Sequence, residues 1–358
     1  MSNLDPKRIL VTGGAGFVGS AYIRMALARR QDLHVVNLDK LTYAANPDNV
    51  EPWAASGRYQ LVCGDVCVEE DVRSAFDAMR QLAHGPVEAV VHFAAESHVD
   101  RSIEDPARFL RTNVLGTEVM LRESRAASVE RFIQVSTDEV YGSLRPDDPP
   151  FTEATPLAPN SPYAASKAAA DLLAMAYHST WQFPAIVTRC SNNYGPYQFP
   201  EKLIPLMACN ALEDRSLPVY GDGLNIRDWI HVEDHARGID AALRRGTPGR
   251  SYNLGGNHEA TNLSIVRALL GALDKPERLI HFVEDRPGHD RRYAMDSSRA
   301  MSELAWSPVV EFDRGLTQTA LWYRDHLDWV RKARTGEYVE YYKRMYANRG
   351  AAESAHGD

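Results

Sequence analysis

The feature that most constrains the fold is a glycine-rich turn near the start of the chain. An apolar, strand-like run over residues 8–12 leads into TGGAGFVG (12–19), and a helical pattern over 18–30 follows. Gly13, Gly16 and Gly19 permit a tight turn, close approach of a pyrophosphate and close packing of helix on strand. This order predicts a dinucleotide-binding unit whose first helix points free N–H groups at the phosphates.

The first two-thirds of the chain repeats this alternation of strand and helix. Further apolar runs predict buried parallel strands at 33–38, 60–63, 89–93, 132–136 and 185–189. Helical patterns lie between them at 69–83, 106–127 and 161–180. The alternation predicts an α/β protein with a Rossmann-type doubly wound parallel sheet, in which ligands bind outside the carboxyl ends of the strands.

The composition changes after about residue 192, where proline, glycine and aromatic residues become dense. This change predicts a smaller C-terminal α/β lobe that covers the strand ends and binds the substrate. We therefore expect a dinucleotide-binding domain over 1–191, with sheet elements returning near 228–254. The substrate lobe is expected mainly over 192–330, followed by a C-terminal helix and tail over 331–358.

Bulk composition excludes several classes of protein. The net charge of the 358 residues is -8, which argues against a general nucleic-acid binder. The four cysteines form no C-x2-C pair, so we expect free, mostly buried thiols, no metal site and a cytoplasmic location. No apolar run approaches the ~18 residues of a membrane span, and the polar N-terminus does not resemble a signal peptide.

Acidic residues at two strand ends predict the cofactor. Asp39 ends the second predicted strand, 20 residues after Gly19. A carboxylate there accepts hydrogen bonds from ribose hydroxyls and repels a 2′-phosphate, so NAD is favoured over NADP. Asp65 ends the third predicted strand and is expected near the adenine.

Tyr163 and Lys167 are four residues apart on a predicted helix, so they share one face. The lysine ammonium is expected to lower the phenol pKa from its usual ~10. Tyr163 then takes a proton from a substrate hydroxyl while hydride leaves the same carbon for NAD. Lys167 also holds the nicotinamide ribose, and the Thr137 hydroxyl donates to the substrate oxygen.

The adjacent carboxyls of Asp138 and Glu139 supply an acid and a base beyond what alcohol oxidation needs. Once a sugar is oxidised at C4, its C5 hydrogen becomes acidic and its C6 hydroxyl can leave. Glu139 is the expected base at C5. Asp138 is the expected acid at C6, provided that desolvation and the neighbouring carboxylate keep it protonated. Return of hydride to C6 makes the net reaction a dehydration, so the predicted enzyme is a lyase.

Six motifs together resemble the dTDP-glucose 4,6-dehydratase family of extended short-chain dehydrogenases/reductases. They are TGGAGFVG (12–19), HFAAESHVDR (92–101), TDEVYG (137–142), YAASK (163–167), RCSNNYGPYQ (189–198) and RPGHDRRY (286–293). The resemblance runs from about residue 7 to 330 and implies Asp138 as proton donor, with Glu139 and Tyr163 as proton acceptors. It also implies a homodimer joined through helices such as 106–127 and 161–180.

The same resemblance implies the ligand contacts. Expected contacts to a tightly bound NAD are Phe17, Val18, Asp39, Lys40, Leu41, Thr42, Asp65, Val66, Phe93, Ala94, Ala95, Ser97, Thr112, Tyr163, Lys167 and Asn193. Expected contacts to the nucleotide sugar are Ser97, Thr137, Asn192, Lys202, Leu203, Pro218, Val219, Tyr220, Arg227, Asn262, Asp285, Arg286, Pro287, Gly288 and His289. Arg227 and Arg286 suit a diphosphate, and Tyr220 suits stacking on a base. Phe93 replaces a leucine common in relatives, a change expected to adjust packing only.

Other functions remain open on the sequence. An epimerase or decarboxylase of the same fold uses the glycine turn and Tyr-x3-Lys but does not need the Asp-Glu pair. A GDP-mannose 4,6-dehydratase differs in its nucleotide. A noncatalytic NAD-sensing module would usually lack Tyr163 or Lys167. The sequence does not decide between dTDP and UDP, nor which pathway receives the product.

Overall fold

The structure is a computed structural model that describes residues 4–285 and 288–334. Its strands are β1 (Arg8–Thr12), β2 (His34–Asp39), β3 (Tyr59–Cys63), β4 (Ala89–His92), β5 (Arg131–Thr137), β6 (Ala185–Cys190), β7 (Asn192–Tyr194), β8 (Leu217–Tyr220), β9 (Ile226–His231), β10 (Ser251–Leu254), β11 (Glu259–Thr261) and β12 (Ile280–Val283). Its helices are α1 (Phe17–Arg29), α2 (Glu51–Ala54), α3 (Glu69–Ala83), α4 (Val99–Glu104), α5 (Pro106–Phe109), α6 (Gly116–Ala126), α7 (Pro162–Trp181), α8 (Leu203–Leu212), α9 (Val232–Arg245), α10 (Asn262–Ala272), α11 (Ser298–Leu304), α12 (Phe312–Asp325) and α13 (Leu327–Ala333).

A seven-stranded sheet in the order β10-β6-β5-β4-β1-β2-β3 forms the centre of the molecule. Every neighbouring pair in it is parallel. Alternate residues of β1 enter different cores: Ile9 and Val11 pack with α1 and α9, whereas Leu10 packs with α3 and α6. Helices therefore cover both faces of the sheet, and the doubly wound α/β prediction is confirmed.

The six predicted strands of the first two-thirds are all present, and their ends lie within one residue of those predicted. The helical pattern over 106–127 is not one helix. It begins as α5, passes through a π-helical turn at Leu110–Leu115 and continues as α6. Inside that turn, the buried Asn113 amide donates to the Glu96 carbonyl and to Ser166 Oγ. The turn thus brings one polar side chain inward to join the end of β4 to α7.

Beyond β6 the chain builds smaller units. β11, β9 and β7 form a three-stranded sheet, and β12 and β8 form a parallel pair. A separate core packs beneath them between α8, α10 and α12. β10 returns to the main sheet by pairing with β6, whereas β9 does not. The proposed division into domains at 191/192 stays a prediction, and the predicted tail over 335–358 lies outside the described residues.

All four cysteines are free thiols, but the expectation that most are buried is wrong. Only Cys209 is buried, and Cys63 is exposed because it ends the edge strand β3. Phe93 fills space against the Tyr22 ring, with 5.7 Å between ring centroids. Within the described ranges, no helix is both long enough and apolar enough to cross a membrane.

Candidate active site

A cavity of about 880 Å³ opens at the carboxyl ends of β1 to β6. Its walls include all five predicted catalytic residues, Thr137, Asp138, Glu139, Tyr163 and Lys167. They also include every residue predicted to bind the cofactor except Leu41, whose backbone has a positive φ of 53° and whose side chain is 37% exposed. The parallel sheet thus gathers into one cleft residues that are far apart in sequence.

The turn after β1 is shaped by backbone contacts that only glycine permits. Gly13 has φ +69°, and a Cβ on it would lie 2.7 Å from the Ala94 backbone nitrogen. A Cβ on Gly19 would overlap the Gly13 carbonyl oxygen. Gly16, which caps α1, offers no side chain to the first turn of that helix. Because no side chain caps α1, the first N–H groups of that helix, which begins at Phe17, are available to an anion, as a dinucleotide site requires.

Asp39 joins two loops at the cofactor end of the cleft. Its Oδ2 accepts from the Ala15 N–H and its Oδ1 accepts from the Leu41 N–H, each at 2.9 Å. Burial raises the pKa of this carboxyl, and the two N–H bonds oppose that shift. Each oxygen keeps a second lone pair, so ribose hydroxyls can still donate to it. These residues fit a dinucleotide with a free ribose 2′-hydroxyl.

The catalytic end of the cleft is built where β5 ends. Thr137 caps the short 3-10 turn that follows, and its Oγ1 accepts from the Glu139 N–H at 3.3 Å. The same hydroxyl donates to Asp138 Oδ1 at 3.2 Å, and it lowers the pKa of Tyr163. Ser161 caps α7 and Pro162 begins it, which turns Tyr163 and Lys167 toward β5. Thr137 therefore links the phenol to a carboxyl.

Asp138 is 2% exposed, and its Oδ2 makes no hydrogen bond within the described part of the chain. Burial raises the pKa of this carboxyl well above its usual value, and the charges of Glu139 and Asp228 raise it further. Arg227 acts in the opposite direction. Burial of this kind favours the protonated form of a carboxyl, which is the form that can act as a proton donor.

Comparison with known proteins agrees with this geometry. Residues 10–319 match the sequence model of the family described as GDP-mannose 4,6 dehydratase. A dTDP-glucose 4,6-dehydratase of Neisseria gonorrhoeae is 48% identical over 91% of this chain and 98% of the relative. One of Streptomyces griseus is 49% identical over 90% of this chain and 95% of the relative. The chain belongs to the dTDP-glucose 4,6-dehydratase family.

Solved structures give the same assignment. The dTDP-glucose 4,6-dehydratase of Bacillus anthracis in complex with NAD superposes with a TM-score of 0.84 at 45% identity, covering 91% of this chain and 99% of that one. The UDP-glucose 4-epimerase of Thermus thermophilus, also with NAD, superposes with a TM-score of 0.81 at 30% identity, covering 89% and 99%. The fold alone therefore does not separate dehydratases from epimerases, and the site must.

One expectation about this dehydratase-family site is wrong. The sequence predicts that Lys167 lowers the pKa of Tyr163, but that pKa lies well above its usual value. Burial is the main cause, and the charge of Glu139 adds to it. Burial lowers the pKa of Lys167, which Asp171 opposes. The Lys167 ammonium donates to the Val135 carbonyl at 2.7 Å.

The predicted substrate residues fall into two groups. Ser97, Thr137, Asn192, Lys202 and Leu203 line the cavity. The cavity walls do not include Pro218, Val219, Tyr220, Arg227, Asn262, Asp285, Gly288 and His289. Val219 is 2% exposed and packs in the core beneath the smaller sheets, so its side chain does not face a ligand. Arg286 and Pro287 lie outside the described residues.

The polar members of the second group make contacts with one another and with neighbouring residues outside the cavity wall. Tyr220 donates to Asp100 Oδ2 at 3.3 Å, and its ring meets the His289 ring edge-on at 6.2 Å. His289 Nδ1 lies 2.6 Å from Asp285 Oδ1. The Arg227 guanidinium lies 4.3 Å from the centre of the Tyr293 ring. Arg227 also acts on the catalytic end, because its charge lowers the pKa of Asp138.

The cavity also contains groups that the sequence did not single out for a role. The carboxyl of Glu201 lines it, and burial raises the pKa of that group to about 7. Cys190 donates to the Ser136 carbonyl, and burial raises its pKa to about 12, so it stays a thiol. Arg108 lies at the wall and pairs with Glu96 at 2.7 Å. No spacing rule marked these residues, because folding alone brings them to the cleft.

Proposed function

We propose that this protein is a dTDP-glucose 4,6-dehydratase that keeps NAD bound and converts its substrate to dTDP-4-keto-6-deoxyglucose and water. The observation that carries the proposal is the position of Asp138, a buried carboxyl of raised pKa beside Glu139, in the same cavity as Tyr163. An epimerase has no step that needs this acid. The dTDP-glucose 4,6-dehydratases at 48% and 49% identity support the choice of nucleotide sugar.

The catalytic residues act at three carbons of the sugar, C4, C5 and C6. When bound, NAD supplies the hydride acceptor for C4 and the hydride donor for C6, and its positively charged ring favours the Tyr163 phenolate. Tyr163 takes the proton of the C4 hydroxyl while the Thr137 hydroxyl donates to the same oxygen. Lys167 is the residue to which we assign the contact with the nicotinamide ribose, and its presence in the cavity wall supports that role.

Elimination then uses the two carboxyls. Glu139 removes the C5 proton, and Asp138 protonates the C6 oxygen, which leaves as water. Glu139 afterwards returns its proton to C5. Over the whole reaction Tyr163 gains one proton and Asp138 loses one. The Thr137 hydroxyl, which donates to Asp138 and influences the pKa of Tyr163, offers the path by which that proton returns to Asp138.

A panel of nucleotide sugars tests the proposal. The protein is incubated separately with dTDP-glucose, UDP-glucose, GDP-mannose and UDP-galactose, and products are followed by mass spectrometry. We expect dTDP-glucose to lose the mass of one water fastest, with no added cofactor consumed. A C4 epimer of unchanged mass would overturn the dehydratase assignment, and faster loss of water from another nucleotide would overturn the choice of dTDP.

The arrangement of exposed apolar side chains supports a homodimer. Leu110, Leu115, Leu172 and Trp181 are each between 48% and 60% exposed, and they lie on the neighbouring segments 106–126 and α7. A second copy of this chain is the partner we propose for this face, and light scattering should give twice the chain mass. The free thiols are consistent with a cytoplasmic location, which we also propose.

A further inference from the structure

Tyr43 lies in the loop after β2, between two residues that line the cofactor cavity, Thr42 and Ala44. Its ring lies under the Arg101 guanidinium, whose central carbon is 3.7 Å from the ring centroid. Its hydroxyl donates to Glu201 Oε1 at 3.1 Å. A single side chain thus joins the cofactor loop to α4 and to the segment before α8.

The partners of Tyr43 also contact each other. Arg101 and Glu201 form an ion pair at 3.4 Å, and their side chains are only 9% and 3% exposed. The Phe199 ring meets Tyr43 edge-on, with 5.5 Å between ring centroids. We call Tyr43, Arg101 and Glu201 the Tyr43 clasp. Because Arg101 and Glu201 are buried, the cation–π contact and the hydrogen bond of the clasp are stronger than they would be at the surface.

The clasp connects the two sides of the cleft. Thr42 and Ala44 line the cavity from the loop after β2, whereas Phe199 and Glu201 line it from the segment before α8. A second connection runs nearby, where Lys202 Nζ donates to the Ser97 carbonyl at 2.7 Å. Opening the cleft at this point requires breaking the Tyr43–Glu201 hydrogen bond, the Tyr43–Arg101 contact, or both.

The proposed reaction requires that the cleft stay closed over the cofactor during a turnover. The same cofactor molecule must take hydride at the start of a turnover and return it at the end. Loss of the reduced cofactor in between would leave the keto sugar without its hydride. We propose, on the basis of the proposed function, that the Tyr43 clasp holds the cleft closed over the bound dinucleotide. The clasp thereby retains the dinucleotide throughout the turnover.

Release of NAD from the holoenzyme tests the clasp without any sugar present. Protein loaded with radiolabelled NAD is mixed with excess unlabelled NAD, and retained label is followed over time. Tyr43→Phe removes only the hydroxyl and should speed release about 3- to 10-fold. Tyr43→Ala also removes the ring under Arg101 and should speed it by about 30-fold or more.

Tyr252→Phe is the matched control. Tyr252 also donates to a carboxylate, Glu303 Oε2 at 2.9 Å, but it lies on β10 and is not part of the cavity wall. The Tyr252→Phe variant should release NAD at the wild-type rate. With dTDP-glucose added, Tyr43→Ala should also release reduced cofactor and keto sugar into solution, detected by fluorescence and mass.

Wild-type release rates in both Tyr43 variants would overturn the clasp. Acceleration of the same size in Tyr252→Phe would overturn it too, because the effect would then follow from any lost hydroxyl. Thermal unfolding checks that each variant is folded, and Tyr43→Phe carries the test if Tyr43→Ala is not. The NAD release rates test the clasp even if the wild type fails to dehydrate dTDP-glucose. That failure would refute only the proposed function.

Discussion

The two ends of the cleft bind their ligands by different means. At the cofactor end, the turn at Gly13 presents backbone, and both oxygens of Asp39 are engaged by N–H groups. At the catalytic end, Asp138, Tyr163 and Lys167 are buried, and each has its pKa shifted toward the uncharged form. The cofactor end recognises the shape of its ligand, whereas the catalytic end holds side chains that exchange protons with the substrate. We therefore expect substitutions at the first end to weaken binding and substitutions at the second to slow the chemistry.

The largest expected effect belongs to the catalytic carboxyls. Asp138→Asn keeps the shape of the side chain but supplies no proton to the C6 oxygen, and Glu139→Gln removes the base at C5. Each should lower kcat by about 100- to 10,000-fold while changing KM far less. Rapid mixing with dTDP-glucose should show reduced cofactor accumulating at 340 nm, because C4 is oxidised but water does not leave.

Asp240→Asn provides a matched control for the acid. Asp240 also has a carboxyl whose pKa is raised by burial and a buried oxygen without a hydrogen bond in the described ranges. It lies on α9, where it lines a small pocket together with Arg29 of α1, and it is not part of the main cavity. Its kcat should stay near that of the wild type. Rapid water loss in Asp138→Asn would remove the role of general acid from this residue.

The pH dependence of elimination sharpens the same contrast. Asp138 must carry its proton to act, and burial raises its pKa. On the alkaline side, the rate of water loss should therefore fall as pH rises through that raised pKa. The linked stability has the same sign, since the protonated carboxyl is favoured in the folded state and this contribution is lost as pH rises. Single-turnover rates across pH should show this alkaline decline in the wild type and lack it in Asp138→Asn.

The two ends also differ in how well sequence predicts them. The glycine turn could be recognised because its backbone geometry excludes other residues, and Asp39 follows from its place at a strand end. The charges that act on Asp138 could be predicted only for its neighbour Glu139, because Arg227 and Asp228 act from a later strand of another sheet. The Tyr43–Glu201 hydrogen bond could not be predicted either, because its two residues come from distant parts of the sequence. The mistaken prediction for Tyr163 came from counting one neighbouring charge without the desolvation of the phenol.

The smallest expected effect lies at the cofactor end, and here two glycines allow a matched comparison. Gly13 and Gly57 both have φ +69°, a conformation that costs an L side chain about 1–2 kcal/mol. A Cβ on Gly57 meets nothing within 4 Å, whereas one on Gly13 lies 2.7 Å from the Ala94 nitrogen. Gly57→Ala should therefore lower the unfolding free energy by the conformational cost alone. Gly13→Ala should lose a further ~1–3 kcal/mol from the clash and should also release NAD faster. Denaturant unfolding with and without NAD measures both, and equal losses in the two variants would show that the approach of the turn to β4 is not what demands glycine.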